Sequence, residues 1–97
     1  MITKEEVLQT LKVLKPEIRS RYKVKEIGLF GSFVRGEQGE TSDIDLLVDF
    51  EEWADLFDLV ALAQFLEERL QRKVDLVSTR ALREELREQV LKEVAML

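Results

Sequence analysis

The segment Asp43 to Phe50, DIDLLVDF, constrains the fold more than any other stretch of the chain. Ile44, Leu46, Val48 and Phe50 alternate with Asp43, Asp45, Leu47 and Asp49, and a period of two marks a strand with one buried face. Asp43 and Asp45 therefore share the other face. At about 3.3 Å of rise per residue their Cα atoms lie about 6.6 Å apart, close enough for both carboxylates to lean onto one pair of cations. Upstream of Asp43, and separated from it by ten residues, the chain carries the pair Gly31-Ser32.

The flanking sequence supplies the rest of the elements. Thr3 followed by Glu6 has the form of a capping box, and Val7, Leu8, Leu11 and Leu14 recur at helical spacing, which predicts a helix from about Lys4 to Leu14. Pro16 is expected to end or restart it, leaving Glu17 to Tyr22 as a short helical turn. Lys23 to Phe30 reads as a strand that breaks at Gly31, with Gly28 marking a place where another backbone comes close. Ser32 to Arg35 predicts a short helix stopped by Gly36, and Glu37 to Ser42 an exposed loop.

Asp55 is a candidate N-cap for a helix running to about Arg72, with Leu56, Leu59, Val60, Ala63, Leu66 and Leu70 as its apolar stripe. Trp53, Phe57 and Phe65 are assigned to the core rather than to a base-stacking platform, because such platforms come with a basic groove. Val74 to Val77 predicts a third strand. Ser78 or Thr79 would cap a last helix from about Ala81 to Met96, with Leu82, Leu86, Val90 and Val94 in a stripe. The expected fold is α+β: a small mixed β-sheet covered on one face by helices, its carboxylate face open, in a single domain over residues 1–97.

Composition narrows the chemistry. The 97 residues include no Cys and no His, so disulfides, zinc sites, thiol nucleophiles and histidine acid-base catalysis are excluded. The net charge of -5 argues against tight non-specific binding to nucleic acid. No apolar run reaches membrane-spanning length and the N-terminus lacks a secretory pattern, so the expected location is the cytoplasm, with no membrane partner.

Two carboxylates on one strand face repel each other, and a solvated edge strand is the competing explanation for them. Asp75, central in an apolar strand, is either a plain outward-facing residue or the third member of the cluster. Three converging carboxylates would suit two Mg²⁺ ions, which favour hard oxygen ligands and in-line displacement at phosphorus. Gly31 would let a phosphate approach the backbone, Ser32 would offer a hydroxyl, and Arg35 would reach either a phosphate oxygen or a neighbouring carboxylate.

GSFVRG, SDIDLLVDF and KVDLV together resemble the nucleotidyltransferase superfamily that includes the DNA polymerase β palm. The similarity is greatest to the minimal nucleotidyltransferases encoded beside HEPN-domain partners in toxin-antitoxin pairs. The resemblance implies that Gly31 and Ser32 hold the nucleoside triphosphate, that Asp43 and Asp45 ligate both metals, and that Asp75 ligates one and helps activate the acceptor hydroxyl. It further implies transfer of AMP from ATP to a tyrosine of a HEPN ribonuclease toxin, in a hetero-oligomer with that partner and without direct contact with nucleic acid. Two other readings compete: a non-catalytic antitoxin that neutralises its partner by occlusion, and nucleotide addition to RNA ends.

Overall fold

The computed structural model describes residues 2–39 and 42–97 of the chain. Four strands form one sheet in the order β3-β2-β1-β4, where β1 is Val24–Phe30, β2 Ile44–Phe50, β3 Val74–Ser78 and β4 Ala95–Met96. The sheet is mixed. β1 pairs antiparallel with both β2 and β4, and β2 pairs parallel with β3. The helices are α1 (Lys4–Arg21), the single turn α2 (Ser32–Arg35), α3 (Leu56–Leu70) and α4 (Glu84–Glu93). Among the described residues, no helix is long and apolar enough to cross a membrane.

Alternation in β2 works as the pattern requires: Ile44, Leu46 and Val48 are fully buried and Phe50 nearly so. They meet Val7, Leu11, Leu14 and Ile18 of α1 and Leu62, Phe65, Leu66 and Leu70 of α3 in one apolar cluster. Tyr22, which follows α1, tilts against Phe65 of α3 with ring centroids 5.3 Å apart, joining the two helices over the sheet.

Helix α1 differs from expectation by running straight through Pro16. Its capping box is present, with Glu6 N–H donating to Thr3 Oγ1 at 3.1 Å and Thr3 N–H to Glu6 Oε1 at 3.2 Å. A proline in a helix interior costs about 3 kcal/mol, largely through the lost N–H and the clash with the preceding turn. Burial of Ile18 and Tyr22 beyond it offsets this, at roughly 1.5–3 kcal/mol per large apolar side chain. Pro16 and Lys12, whose carbonyl it leaves unpaired, both lie on the exposed side, where water can serve as donor.

Asp55 caps α3 as expected, in a reciprocal box with Asp58: Asp58 N–H donates to Asp55 Oδ1 at 3.2 Å and Asp55 N–H to Asp58 Oδ2 at 2.9 Å. That backbone hydrogen bond from Asp55, helped by Lys23, holds the Asp58 carboxyl below the ordinary carboxylate range. The buried stripe of α3 is rotated from the expected one. Leu56 and Val60 are exposed while Leu62 is buried, and of the three aromatics assigned to the core only Phe65 is there; Trp53 is 67% and Phe57 83% exposed.

The C-terminal region departs furthest from expectation. Instead of one helix over Ala81 to Met96, Ser78 caps a 3-10 turn, Thr79–Ala81, and α4 then spans only Glu84–Glu93. Val94 turns extended and Ala95–Met96 pairs with the free edge of β1 at Gly28 and Leu29. Leu97 N–H donates to Ile27 O at 3.1 Å, extending the pairing. An unpaired sheet edge is a row of unsatisfied donors and acceptors, and pairing it outweighs another turn of helix. Gly28 makes this possible, since a Cβ there would stand 2.6 Å from Met96 Sδ and 3.2 Å from Ala95 O.

Candidate active site

The sheet face away from α1 and α3 carries Asp43, Asp45, Leu47 and Asp49 along β2 and its approach. Register aligns Asp45 with Asp75 and Leu47 with Val77 on β3, and Asp45 with Phe30 on β1. Adjacent strands lie about 4.8 Å apart, so Asp45 and Asp75 project side by side. Asp43 sits one residue before the strand begins and is exposed. Asp49 stands apart: its Oδ1 accepts from Thr79 Oγ1 at 3.0 Å, which ties the 3-10 turn to β2.

Gly31 closes one side of the group. Its backbone has φ +78° and ψ -151°, in the positive-φ region where glycine is favoured. A Cβ at this position would collide with the Asp45 carboxylate. The residue is thus required both for the turn out of β1 and for the space that Asp45 occupies. Its carbonyl accepts from Val34 N–H at 3.1 Å and Arg35 N–H at 3.2 Å, while the fully buried Phe33 anchors the turn in the core. Ser32 opens α2 directly after this glycine, and Gly36 ends the helix at φ +73°.

Helix α4 borders this face without burying any of its own residues. Between helix and sheet lies a cleft of about 440 Å³ lined by Asp45, Asp75, Gly31, Arg35, Leu86 and Glu93, among others. Four of the six predicted site residues, Gly31, Arg35, Asp45 and Asp75, thus line one opening; Ser32 follows Gly31 at the start of α2 and Asp43 lies at the approach to β2, and neither is part of the lining.

Arg35 was open to two assignments, and here it pairs with carboxylates: Nε donates to Glu37 Oε1 at 2.8 Å and Nη1 to Glu93 Oε1 at 3.1 Å. Those partners, Glu37 foremost, hold its pKa above the usual guanidinium value. Glu93 was not identified from the sequence. It falls on the polar side of the expected helix, and only the return of β4 to the sheet brings it to Gly31.

Electrostatics identify Asp45 as the residue under stress. Burial pushes its carboxyl up, and the neighbouring charges of Asp75, Asp43 and Glu93 add to the rise, with Arg35 opposing. No set of three carboxylates among the described residues is already gathered tightly enough to enclose an ion. Mg²⁺, however, keeps several waters and binds through one or two carboxylates together with substrate phosphates. An adjacent Asp45–Asp75 pair whose charges oppose each other, with Asp43 nearby, fits that requirement.

Comparison with known proteins agrees with the geometry. The family described as "Nucleotidyltransferase domain" matches residues 11–96. The protein adenylyltransferase MntA of Thermococcus cleftensis is 47% identical over 94 residues, covering 97% of this chain and 95% of the relative. A solved minimal nucleotidyltransferase superposes with a TM-score of 0.86 at 40% identity, covering 99% of this chain and 97% of its own. A toxin-antitoxin structure with AMP-PNP gives 0.70 at 30% identity, covering 98% and 72%. The complex of a tri-AMPylated Shewanella oneidensis HEPN toxin with its MNT antitoxin gives 0.64 at 30% identity, covering 92% and 68%. The chain belongs to the nucleotidyltransferase domain family, among the MntA-like minimal nucleotidyltransferases, and is a nucleotidyltransferase by that membership.

Proposed function

We propose that this nucleotidyltransferase transfers AMP from ATP to a tyrosine hydroxyl of a HEPN-type ribonuclease toxin and thereby acts as its antitoxin, in the cytoplasm and as a hetero-oligomer with the toxin. The observation that carries the reading is the alignment of Asp45 with Asp75 across β2 and β3, beside a glycine whose missing Cβ makes room for the carboxylate. A relative that is a protein adenylyltransferase, a toxin-antitoxin structure with AMP-PNP and a tri-AMPylated HEPN toxin in complex with its MNT antitoxin support the choice of donor and acceptor.

Gly31 N–H, the Ser32 hydroxyl and the Arg35 guanidinium would hold the triphosphate, since all three offer donors to phosphate oxygens. Asp43, Asp45 and Asp75 would hold Mg²⁺, two ions in the full site. When bound, Mg²⁺ lowers the pKa of an attacking hydroxyl and stabilises charge on the leaving pyrophosphate. In the reaction the acceptor oxygen bonds to the α-phosphorus, the bond to the oxygen bridging toward the β-phosphate breaks, and pyrophosphate departs. Asp75, exposed and lining the cleft, would orient the acceptor hydroxyl and take its proton.

The test is incubation of the full chain with labelled ATP, Mg²⁺ and the HEPN protein encoded beside it. Label on the partner with wild type, lost with Asp43→Asn, is the expected result. A partner left unlabelled by wild type and variant alike overturns the reading. Cells still protected by the Asp43→Asn, Asp45→Asn double variant would show that occlusion suffices for neutralisation.

A further inference from the structure

We propose that the Glu93 carboxylate is an internal competitor for the nucleotide's phosphate, seated on the two donors that the triphosphate must take over; this rests on the nucleotide site proposed above. Glu93 Oε1 accepts from Gly31 N–H at 3.2 Å and from Arg35 Nη1 at 3.1 Å, and Oε2 lies 3.3 Å from the same Nη1. A carboxylate oxygen and a non-bridging phosphate oxygen make the same demand on such donors: a charge-assisted hydrogen bond from an N–H. One cannot be satisfied there while the other remains.

The position is costly for a carboxylate in any other role. Its side chain is only 20% exposed, and it adds negative charge beside Asp45. Gly31 N–H and Arg35 are what hold it there. The segment that carries it is lightly attached. Helix α4 buries none of its residues, Leu86 and Leu91 are about half exposed, and β4 contributes two residues of pairing. Elements with few buried contacts open at low free-energy cost, so Glu93 can be displaced while β1, β2 and β3 stay paired.

A site occupied by its own side chain binds ligand in proportion to the fraction of molecules in which it is free. Removing the competitor should therefore tighten nucleotide binding. A Glu93 that merely positions Arg35 for the phosphate predicts the reverse, because its loss would leave the guanidinium disordered.

Calorimetric titration of the full chain with a non-hydrolysable ATP analogue and Mg²⁺ separates the two. Glu93→Ala and the isosteric Glu93→Gln are expected to bind about 3- to 10-fold more tightly than wild type, and Arg35→Ala more weakly. Affinity unchanged or reduced in both Glu93 variants, with Arg35→Ala still weakened, overturns the competitor and leaves the nucleotide site standing. No measurable binding by wild type, or Arg35→Ala binding as well as wild type, overturns the nucleotide site and the competitor with it. A second measurement needs no substitution: in wild type the Gly31 amide resonance should shift on saturation with the analogue. A resonance that stays in place overturns the exchange of partners.

Discussion

Replacing Asp45 by Asn is expected to move activity and stability in opposite directions. Burial and the nearby Asp75, Asp43 and Glu93 raise the Asp45 carboxyl above its ordinary value near 3.8. The folded protein therefore holds the proton more tightly than the unfolded chain does. Its contribution to stability is present below the ordinary value and is lost as pH rises through the raised one. At neutral pH and without divalent cation, Asp45→Asn should stabilise the fold, by less than about 1 kcal/mol because the side chain is only partly buried. If the proposed site is right, AMP transfer should fall by about a hundredfold, because a proposed ligand to the metal is gone. Thermal melts of both proteins in chelator, at neutral pH and near pH 4, should show the advantage of the variant shrinking on acidification; an advantage that is absent or grows would contradict the assigned repulsion. This pair of effects was legible in part from DIDLLVDF, because alternation alone puts Asp43 and Asp45 on the polar face. Asp75 needed the parallel register of β3 against β2, and Glu93 needed a tertiary return that no local pattern encodes.

At the scale of elements, apolar periodicity located the segments well and their phase and ends less well. In α3 the run LFDLVALAQFLEERL offers more apolar positions than one face can bury, so sequence alone admits two neighbouring stripes. The sheet selects the one containing Leu62, Phe65, Leu66 and Leu70. Phe57→Ser should accordingly change stability by no more than about 0.5 kcal/mol. Phe65→Ala, which removes the ring against Tyr22, should cost about 3–5 kcal/mol. Equal losses in denaturant titrations would mean that Phe57 is packed as tightly as Phe65, against the phase that the sheet selects for α3. The C-terminal helix was overextended for a related reason: Leu82, Leu86, Val90 and Val94 satisfy a helical period, but the open edge of β1 competes for Ala95 and Met96. Gly28→Val tests that competition, because its side chain would run into Met96 Sδ and Val94 Cγ2. The variant should lose about 1–3 kcal/mol and expose the Leu97 amide, now bonded to Ile27 O, to rapid hydrogen exchange. Retained protection at Leu97 would show that β4 does not depend on the missing Cβ.

For the molecule as a whole, the net charge of -5 becomes informative once its distribution is known. Much of the surface acid is already paired, as in Arg21–Glu17, Lys23–Asp58 and Lys92–Glu88, and such exposed pairs contribute little each. The cluster around Asp45 is different because, among the described residues, no cation forms an ion pair with it: Arg35 is drawn toward Glu37 and Glu93. A fold that tolerates this repulsion is stabilised by anything that binds there in the native state and not in the unfolded one. At a Mg²⁺ concentration 100 times its dissociation constant, the linkage amounts to about 2.7 kcal/mol. For a domain of this size, that corresponds to a Tm increase on the order of 10 °C. The wild-type melt should therefore rise with Mg²⁺ by about 5 °C or more for each tenfold increase above the dissociation constant, and Asp45→Asn and Asp75→Asn should each flatten that rise. An equal response in wild type and both variants would place the cation elsewhere on the acidic surface, and would remove the physical reason for keeping three carboxylates beside Gly31.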